Sequence, residues 1–263
     1  MNVSALLTKD TPHDTQGDPA QWQARVDLAA AHRLAVKEGL NEGIFNHFTL
    51  AVPNTDDRYY QIPFGLHWDE VTASSFMEVS FDGDLLVGKG EVERSGYCIH
   101  APMHRLSEAA ACVLHTHMPF ASALTRLKDQ RILPIGQTEL GISMQTAYDD
   151  EYTGPAFDPA EGERLLGAIG DKSILLMANH GAVTIGRTVA EAYDRLYYLE
   201  RVAQVQLYAM WTGQPLNVLS QDVIDKTVQQ FKGSPSYYGR PNSEHHFEAL
   251  KRMLDREQSD YKD

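Results

Sequence analysis

Residues 113–125 read VLHTHMPFASALT, and this stretch decides how the rest of the chain is interpreted. His115 and His117 end the apolar run 109–114, a pattern typical of a buried strand. Alternate residues of a strand face the same side, with Cα atoms roughly 6–7 Å apart, so both imidazoles can reach one metal ion. Pro119 then opens a helix, because proline favours the first helical position. Ligands at a strand end that faces a helix start are a common way to build a site in an α/β fold.

A third histidine, His180, lies in the sequence Asn179-His180-Gly181, between the apolar stretches 173–177 and 182–185. A side chain in such a turn can project from the end of a strand. Three histidine ligands leave coordination positions open, which is the pattern of catalytic rather than structural metal sites. A zinc finger is disfavoured because there is no Cys-x-x-Cys pair, and nucleotide binding has no GxGxxG or P-loop motif to support it.

The composition indicates one large globular domain of 263 residues, 43% of them hydrophobic. A formal charge of −13 argues against a nucleic-acid partner, because phosphate binding needs a basic surface. No apolar stretch approaches the length of about 20 residues that spans a bilayer. The two cysteines, Cys98 and Cys112, lie in apolar runs, and there is no secretory h-region. We therefore expect free thiols in a cytoplasmic protein.

Along the chain, we expect a mobile N-terminal arm at residues 1–19, a main domain at 20–215, and a C-terminal extension at 216–263 packed on the same domain. The arm carries two prolines and no periodic apolar pattern. No linker or internal repeat separates the other two parts.

Four local predictions bear on the site or its surroundings. A helix is predicted from Ser95 to Ala111, with the Ser95 hydroxyl as its N-cap. Short strands are predicted at 131–133 and 142–145, and residues 214–244 are read as a mostly exposed segment.

The chain resembles the class II aldolase/adducin N-terminal domain family over roughly residues 20–215. The resemblance rests on FNHFTLAVP at 45–53, IPFG at 62–65, SGYCIH at 95–100, VLHTHMPFASALT at 113–125 and LLMANHGAVTIGRTVAEAYDRLYYLE at 175–200. It implies an α/β fold, a three-layer α/β/α sandwich with a central, largely antiparallel sheet. It also implies a homo-oligomer with a small-molecule substrate, since family members are often cyclic tetramers with sites at subunit interfaces.

Carried over residue by residue, His115, His117 and His180 match the three metal-binding histidines of the family. The resemblance implies a divalent metal, Zn²⁺ in most members, with Fe²⁺ or Mn²⁺ as alternatives.

The chain departs from the sugar-phosphate aldolases of this family at their acid/base residue. In those enzymes a glutamate lies four residues before the histidine that matches His100, whereas this chain has Gly96, followed by Tyr97. Glycine can neither transfer a proton nor touch a metal, so another group must do so. Candidates are Tyr97, His100, His67, Glu139 and Tyr148, and we assign the catalytic role to the first two.

The phosphate pocket departs as well. The small hydroxyl residue that precedes a glycine in the family is replaced by Phe64, before Gly65, which removes a donor and adds bulk. Retro-aldol cleavage of a phosphorylated sugar is therefore disfavoured. The residues assigned to substrate binding are Asn46, Phe64, Gly65, Ser95 and Gly96.

Three functions follow from this pattern. The first is a metal-dependent, lyase-like enzyme acting on a small, non-phosphorylated carbonyl or hydroxy-acid substrate. The second is an iron-dependent oxygenase or decarboxylase on the same triad, since open coordination positions suit oxygen chemistry. The third is a non-catalytic, adducin-like binding or scaffolding module, which the glycine at position 96 would permit.

Overall fold

The computed structural model describes residues 18–233 and 240–263, and its strands form one eight-stranded sheet. The strands are β1 (His47–Ala51), β2 (Arg58–Gln61), β3 (Met77–Ser80), β4 (Leu85–Val87), β5 (Cys112–Thr116), β6 (Thr146–Asp149), β7 (Ile174–Met177) and β8 (Ala182–Gly186). Their order across the sheet is β4-β3-β2-β1-β5-β8-β7-β6. Neighbouring strands are antiparallel throughout, except for the parallel pair β6 and β7.

Helices cover both faces of this sheet. They are α1 (Pro19–Lys37), α2 (Arg94–Leu106), α3 (Pro119–Leu124), α4 (Gln137–Ser143), α5 (Pro159–Ile169), α6 (Val189–Trp211), α7 (Gln221–Gly233) and α8 (Asn242–Glu257). The larger core lies between the sheet and α1, α6 and α8, and the smaller one between the opposite face and α2 and α5. The predicted α/β/α sandwich with a largely antiparallel sheet is confirmed.

The burial pattern of the central strand β5 determines which layer of helices His115 faces. All five of its residues are buried, as expected of a strand with helices on both sides. Cys112 and Leu114 belong to the core under α1 and α6, whereas Val113 belongs to the core under α2 and α5. Because side chains alternate, His115 lies on the Val113 face, towards α2.

The start of α2 corrects one prediction. The helix covers Arg94–Leu106, and its N-cap is Glu93 rather than Ser95. The Glu93 carboxylate has two oxygens and accepts from the backbone N–H groups of both Ser95 and Gly96. The helix also ends earlier than predicted, because Ser107 is extended, with φ −143°.

Two predicted strands are wrong. Residues 142–145 belong to the end of α4 and the turn after it, and the strand begins at Thr146. Residues 131–133 form no strand, because the N–H groups of Ile132 and Leu133 donate to the side chains of Tyr148 and Gln206. Short apolar runs do not distinguish a strand from a buried helix or loop.

The C-terminal part packs on the same body. The segment 214–244, predicted to be mostly exposed, contains α7 and is mostly exposed where the structure describes it. After it, α8 buries Phe247, Leu250 and Leu254 in the larger core. Of the predicted arm, residues 1–17 lie outside the described residues. Within the described part of the chain, no helix has both the length and the apolar character that crossing a membrane requires.

A buried histidine in the larger core predicts acid sensitivity. His32 is surrounded by the rings of Phe48, Trp68 and Phe76, and burial lowers its pKa to about 4. An unfolded histidine titrates near 6.5, so between these values the unfolded chain binds more protons and stability falls as pH is lowered. At about 1.36 kcal/mol per pKa unit, this histidine costs up to about 3 kcal/mol by pH 4.

We therefore expect His32→Phe to lose less free energy of unfolding than the wild type between pH 7 and 4.5, measured by urea denaturation. His246→Phe, at a half-buried position on α8 outside the larger core, is the control. Equal losses in wild type and His32→Phe would contradict the burial argument.

Candidate metal centre

Three elements bring His115, His117 and His180 to one point. His115 is on β5, His117 lies just beyond the end of this strand, and His180 is in the turn that joins β7 to β8. Since β8 pairs antiparallel with β5, its start lies beside the end of β5. One nitrogen of each ring lies within 4.8 Å of the others.

The β7–β8 turn can approach β5 this closely only because of its backbone. Asn179 has φ +56°, the left-handed region that asparagine tolerates better than most residues. At Gly181, a Cβ atom would lie 2.5 Å from the Thr116 carbonyl oxygen and 2.7 Å from His117 Cδ2. The glycine therefore permits the contact that carries His180 to the other two rings.

Hydrogen bonds determine which ring nitrogen is free in His115 and in His117, the two histidines at the end of β5. His115 Nδ1 lies 3.0 Å from the Ala182 carbonyl oxygen and must donate to it, which leaves its Nε2 lone pair free. His117 Nδ1 pairs with the Glu42 carboxylate, and its buried Nε2 has no hydrogen-bond partner among the described residues. Metal-binding histidines show this arrangement, with the second ring nitrogen held by a carboxylate or carbonyl.

The electrostatics of the triad also suit a cation. Burial, together with the neighbouring imidazoles, lowers the pKa of His115 well below its usual range and that of His180 to about 4. Both rings are therefore neutral near pH 7, the form that ligates metals. Nitrogen binds zinc at about 2.0–2.1 Å in a tetrahedral site, which sets the ligand nitrogens about 3.4 Å apart, so nitrogens within 4.8 Å of one another must close by up to about 1.4 Å around one ion. The residues present fit a divalent metal.

A cavity of about 500 Å³ opens beside the triad. Its other polar and charged walls are Glu42, Asn46, His47, Glu93, Ser95, Arg126, Tyr152 and Asn179. Asn46 accepts the N–H of His117 through Oδ1 at 3.1 Å, and its buried Nδ2 has no partner among the described residues. Asn46 thus places a buried amide donor, without a partner among the described residues, in the cavity wall beside the triad.

The residues assigned to substrate binding are only partly brought together. Asn46 and Ser95 line the cavity. Gly96 is buried directly behind the Glu93 carboxylate. Phe64, 41% exposed, and its neighbour Gly65 lie outside the cavity lining, although the Phe64 ring lies 6.3 Å from that of Phe45 on its wall.

The two residues assigned to catalysis lie behind the cavity wall. His100 is completely buried and hydrogen-bonded to Thr49 and His47, so a substrate cannot reach it. The Tyr97 ring packs at the outer end of the sheet, in contact with Gly83. A catalytic role for either does not agree with these positions. The other candidates, His67, Glu139 and Tyr148, are also absent from the described cavity lining.

Five polar residues of the cavity were not predicted from the sequence: Glu42, His47, Glu93, Arg126 and Tyr152. His47 follows Asn46 directly, and Glu93 lies three residues before Gly96, so both could have been considered from their neighbours. Glu42 carries no local signal, since its partner His117 is 75 residues away. Arg126 lies just after α3, where an exposed arginine is unremarkable by sequence.

Comparison with known proteins agrees with the fold. Residues 26–207 match the family model described as the Class II Aldolase and Adducin N-terminal domain. An aldolase II superfamily protein from Pseudomonas syringae is 35% identical, with a TM-score of 0.85, over 94% of this chain and 98% of that one. Alpha-adducin of Rattus norvegicus is 32% identical over 90% of this chain, but only 34% of that longer protein is covered.

An L-fuculose 1-phosphate aldolase from Glaciozyma antarctica has a TM-score of 0.76 over 98% of this chain and 99% of that one, at 20% identity, a likeness of fold alone. From the extent of the family match and the identity to its relatives, the chain belongs to the class II aldolase/adducin N-terminal domain family.

The outer hydrogen bond of His117 predicts a measurable effect on metal affinity. Glu42→Gln keeps the size of the side chain but removes the charge that holds Nδ1–H, so we expect zinc affinity to fall about 10- to 100-fold. Competition with a chromophoric chelator measures it. Glu163→Gln, at an exposed position of α5, is the matched control. Equal zinc affinities in the two variants would show that Glu42 does not support the site.

Proposed function

We propose that this protein is a metal-dependent, lyase-like enzyme that acts on a small, non-phosphorylated carbonyl or hydroxy-acid substrate. One observation carries the proposal: three imidazole nitrogens suited to one ion form part of the wall of a cavity large enough for a small metabolite. Open coordination positions beside such a cavity are typical of catalytic metal sites.

The charges of the cavity support a singly charged organic substrate. Arg126 is the only lysine or arginine among the described residues that line it. Its Nη1 donates to the His180 carbonyl at 2.6 Å and to the Ser122 carbonyl at 3.0 Å, which holds the guanidinium beside the triad. A guanidinium matches one carboxylate well.

The roles of the remaining groups follow from these positions. His115, His117 and His180 would hold the metal, Zn²⁺ by preference, which when bound would polarise a carbonyl oxygen as a Lewis acid. Asn46 Nδ2 donates to a second substrate oxygen, and Arg126 orients the carboxylate. Glu93 lies in the cavity wall as an anion. Burial raises the pKa of its carboxyl, but the hydrogen bond and charge of His47, together with hydrogen bonds from Gly96 and Ser95, lower the pKa to about 2.

A non-catalytic, adducin-like module is the second candidate, and the identity to alpha-adducin favours it. A binding module does not need three imidazoles around one point. Metal content separates the two functions.

We also propose a homo-oligomer, a tetramer as in many members of the family. Apolar side chains at the end of α6 support it, since Val205 and Tyr208 are exposed and Trp211 is 82% exposed. Light scattering measures the mass of the particle.

The enzyme proposal is tested on purified protein and on the double variant His115→Ala/His117→Ala. We expect about one divalent ion per chain in the wild type by elemental analysis, and none in the variant, because one histidine cannot retain it. Aldol cleavage of small, non-phosphorylated hydroxy acids should be lost with the ion. His246→Ala is the control, and full metal retention in the double variant would overturn the triad. A wild type that binds no added zinc would favour the adducin-like module.

Arg126 predicts a difference between substrate classes. Arg126→Ala removes a charged hydrogen-bond donor worth about 1.5–3 kcal/mol, so KM for a hydroxy acid should rise at least about 10-fold. KM for a neutral hydroxyketone should stay the same, as should the metal content. Arg201→Ala, exposed on α6, is the control, and equal effects on both substrate classes would contradict carboxylate binding.

A further inference from the structure

The carboxylate of Glu93 occupies space that a side chain at position 96 would need. A Cβ atom built on Gly96 would lie 3.1 Å from Glu93 Oε2 and 3.1 Å from the His47 ring. Contacts of this length are tighter than ordinary van der Waals contact. Residue 96 is therefore a glycine at a place where the neighbouring carboxylate and imidazole fill the volume.

The Glu93 carboxylate is held firmly at this place. Its oxygens accept from the backbone N–H of Ser95 at 3.1 Å, from that of Gly96, and from the Ser95 hydroxyl at 2.8 Å. Its side chain is 24% exposed, so it is anchored at the start of α2 and still open to the cavity.

A buried hydrogen-bond chain behind Glu93 has a fixed direction. It begins at His104, whose Nδ1 lies 2.7 Å from the Ala110 carbonyl oxygen and must donate to it. Burial keeps the His104 ring neutral, with its pKa lowered to about 4, so its Nε2 is an acceptor. The hydroxyl of Thr49, 2.8 Å away, therefore donates to His104.

This direction passes along the chain to the cavity. Because the hydroxyl proton of Thr49 is donated to His104, Thr49 Oγ1 accepts from His100 Nδ1 at 2.7 Å. His100 Nε2 is then an acceptor, and His47 Nδ1 donates to it at 3.2 Å. The other nitrogen of His47, Nε2, lies 3.2 Å from Glu93 Oε2. The polar network thus ends at the Glu93 carboxylate and at the Ser95 hydroxyl, which donates to that carboxylate and lies 3.2 Å from the same His47 nitrogen.

We propose that Glu93 is the catalytic acid/base of the cavity, in place of a side chain at position 96, and that His47 is its positioning residue. This inference rests on the proposed function, because it assigns the proton-transfer group of the same site. The substrate is a small carbonyl compound with a C–H bond next to the carbonyl, or the aldol that releases one.

The step is a proton transfer without any redox change. Glu93 takes the proton from the carbon next to the carbonyl, and the C–H bonding pair becomes the new C=C bond. The carbonyl π pair moves to its oxygen, which becomes an enolate, and Glu93 becomes a neutral carboxylic acid. In the reverse direction the acid returns the proton to carbon, or to the alkoxide of an aldol.

The test uses the zinc-loaded full chain and hydroxyacetone, whose C–H protons exchange in D₂O at a rate that ¹H NMR measures. We expect Glu93→Gln to slow this exchange at least about 100-fold, with zinc content unchanged. Glu91→Gln, exposed two residues earlier, is the matched control and should exchange at the wild-type rate. A Glu93→Gln rate within about three-fold of wild type would overturn the inference and leave the proposed function standing. A zinc-bound wild type without exchange would overturn the inference, whereas a wild type that binds no zinc would contradict the proposed function.

A second measurement tests whether Glu93 fills the space of a side chain at position 96, and it does not depend on enzyme activity. Gly96→Ala should lower Tm less in a Glu93→Ala background than in the wild type, because the carboxylate no longer meets the new methyl group. Equal losses in the two backgrounds would show that Glu93 does not fill the position of the missing side chain and would overturn the inference.

Discussion

The pairing of β5 with β1 on one side and β8 on the other is the constraint on which the site depends. In this register His115 lies opposite His47 on β1 and opposite Val183 on β8. The start of β1, the end of β5 and the β7–β8 turn therefore meet at one end of the sheet. A register shift of one residue would turn His115 into the opposite layer and separate it from the other imidazoles.

The triad and the strands that carry it could be predicted from sequence because both depend on short-range pattern. The two-residue period of a strand and the turn at Asn179-His180-Gly181 indicated three histidines, and the structure brings them together. The resemblance to the family gave the layer order. Local apolar pattern failed at residues 131–133 and 142–145, where neighbouring side chains and helix packing decide the backbone.

The groups around the triad were beyond local pattern for a different reason. Glu42 and Arg126 gain their meaning from the residues that they meet in the fold, and the sequence spacing carries no trace of it. Glu93 lies close to Gly96 in the sequence, but a carboxylate at the start of a helix is also an ordinary N-cap. His100 looked catalytic from its family position, yet it is buried as a link between Thr49 and His47.

The chain shares features with two kinds of relative, the aldolase II superfamily proteins and the adducins. It has a histidine cluster suited to a metal, and its identity extends both to an aldolase II superfamily protein and to alpha-adducin. The interior of the site argues for retained chemistry, because neutral imidazoles, an unpartnered amide and a held carboxylate all border one space. Each of these groups costs free energy to bury and would be easily replaced in a purely structural domain.

We expect one divalent ion to bind to the Nε2 atoms of His115 and His117 and to a nitrogen of His180. Anomalous diffraction at the zinc edge, from crystals of the purified protein grown with zinc, tests it most directly. A single strong peak at about 2.0–2.1 Å from these three nitrogens is the result we predict. Full density for the three side chains with no anomalous peak between them would contradict it.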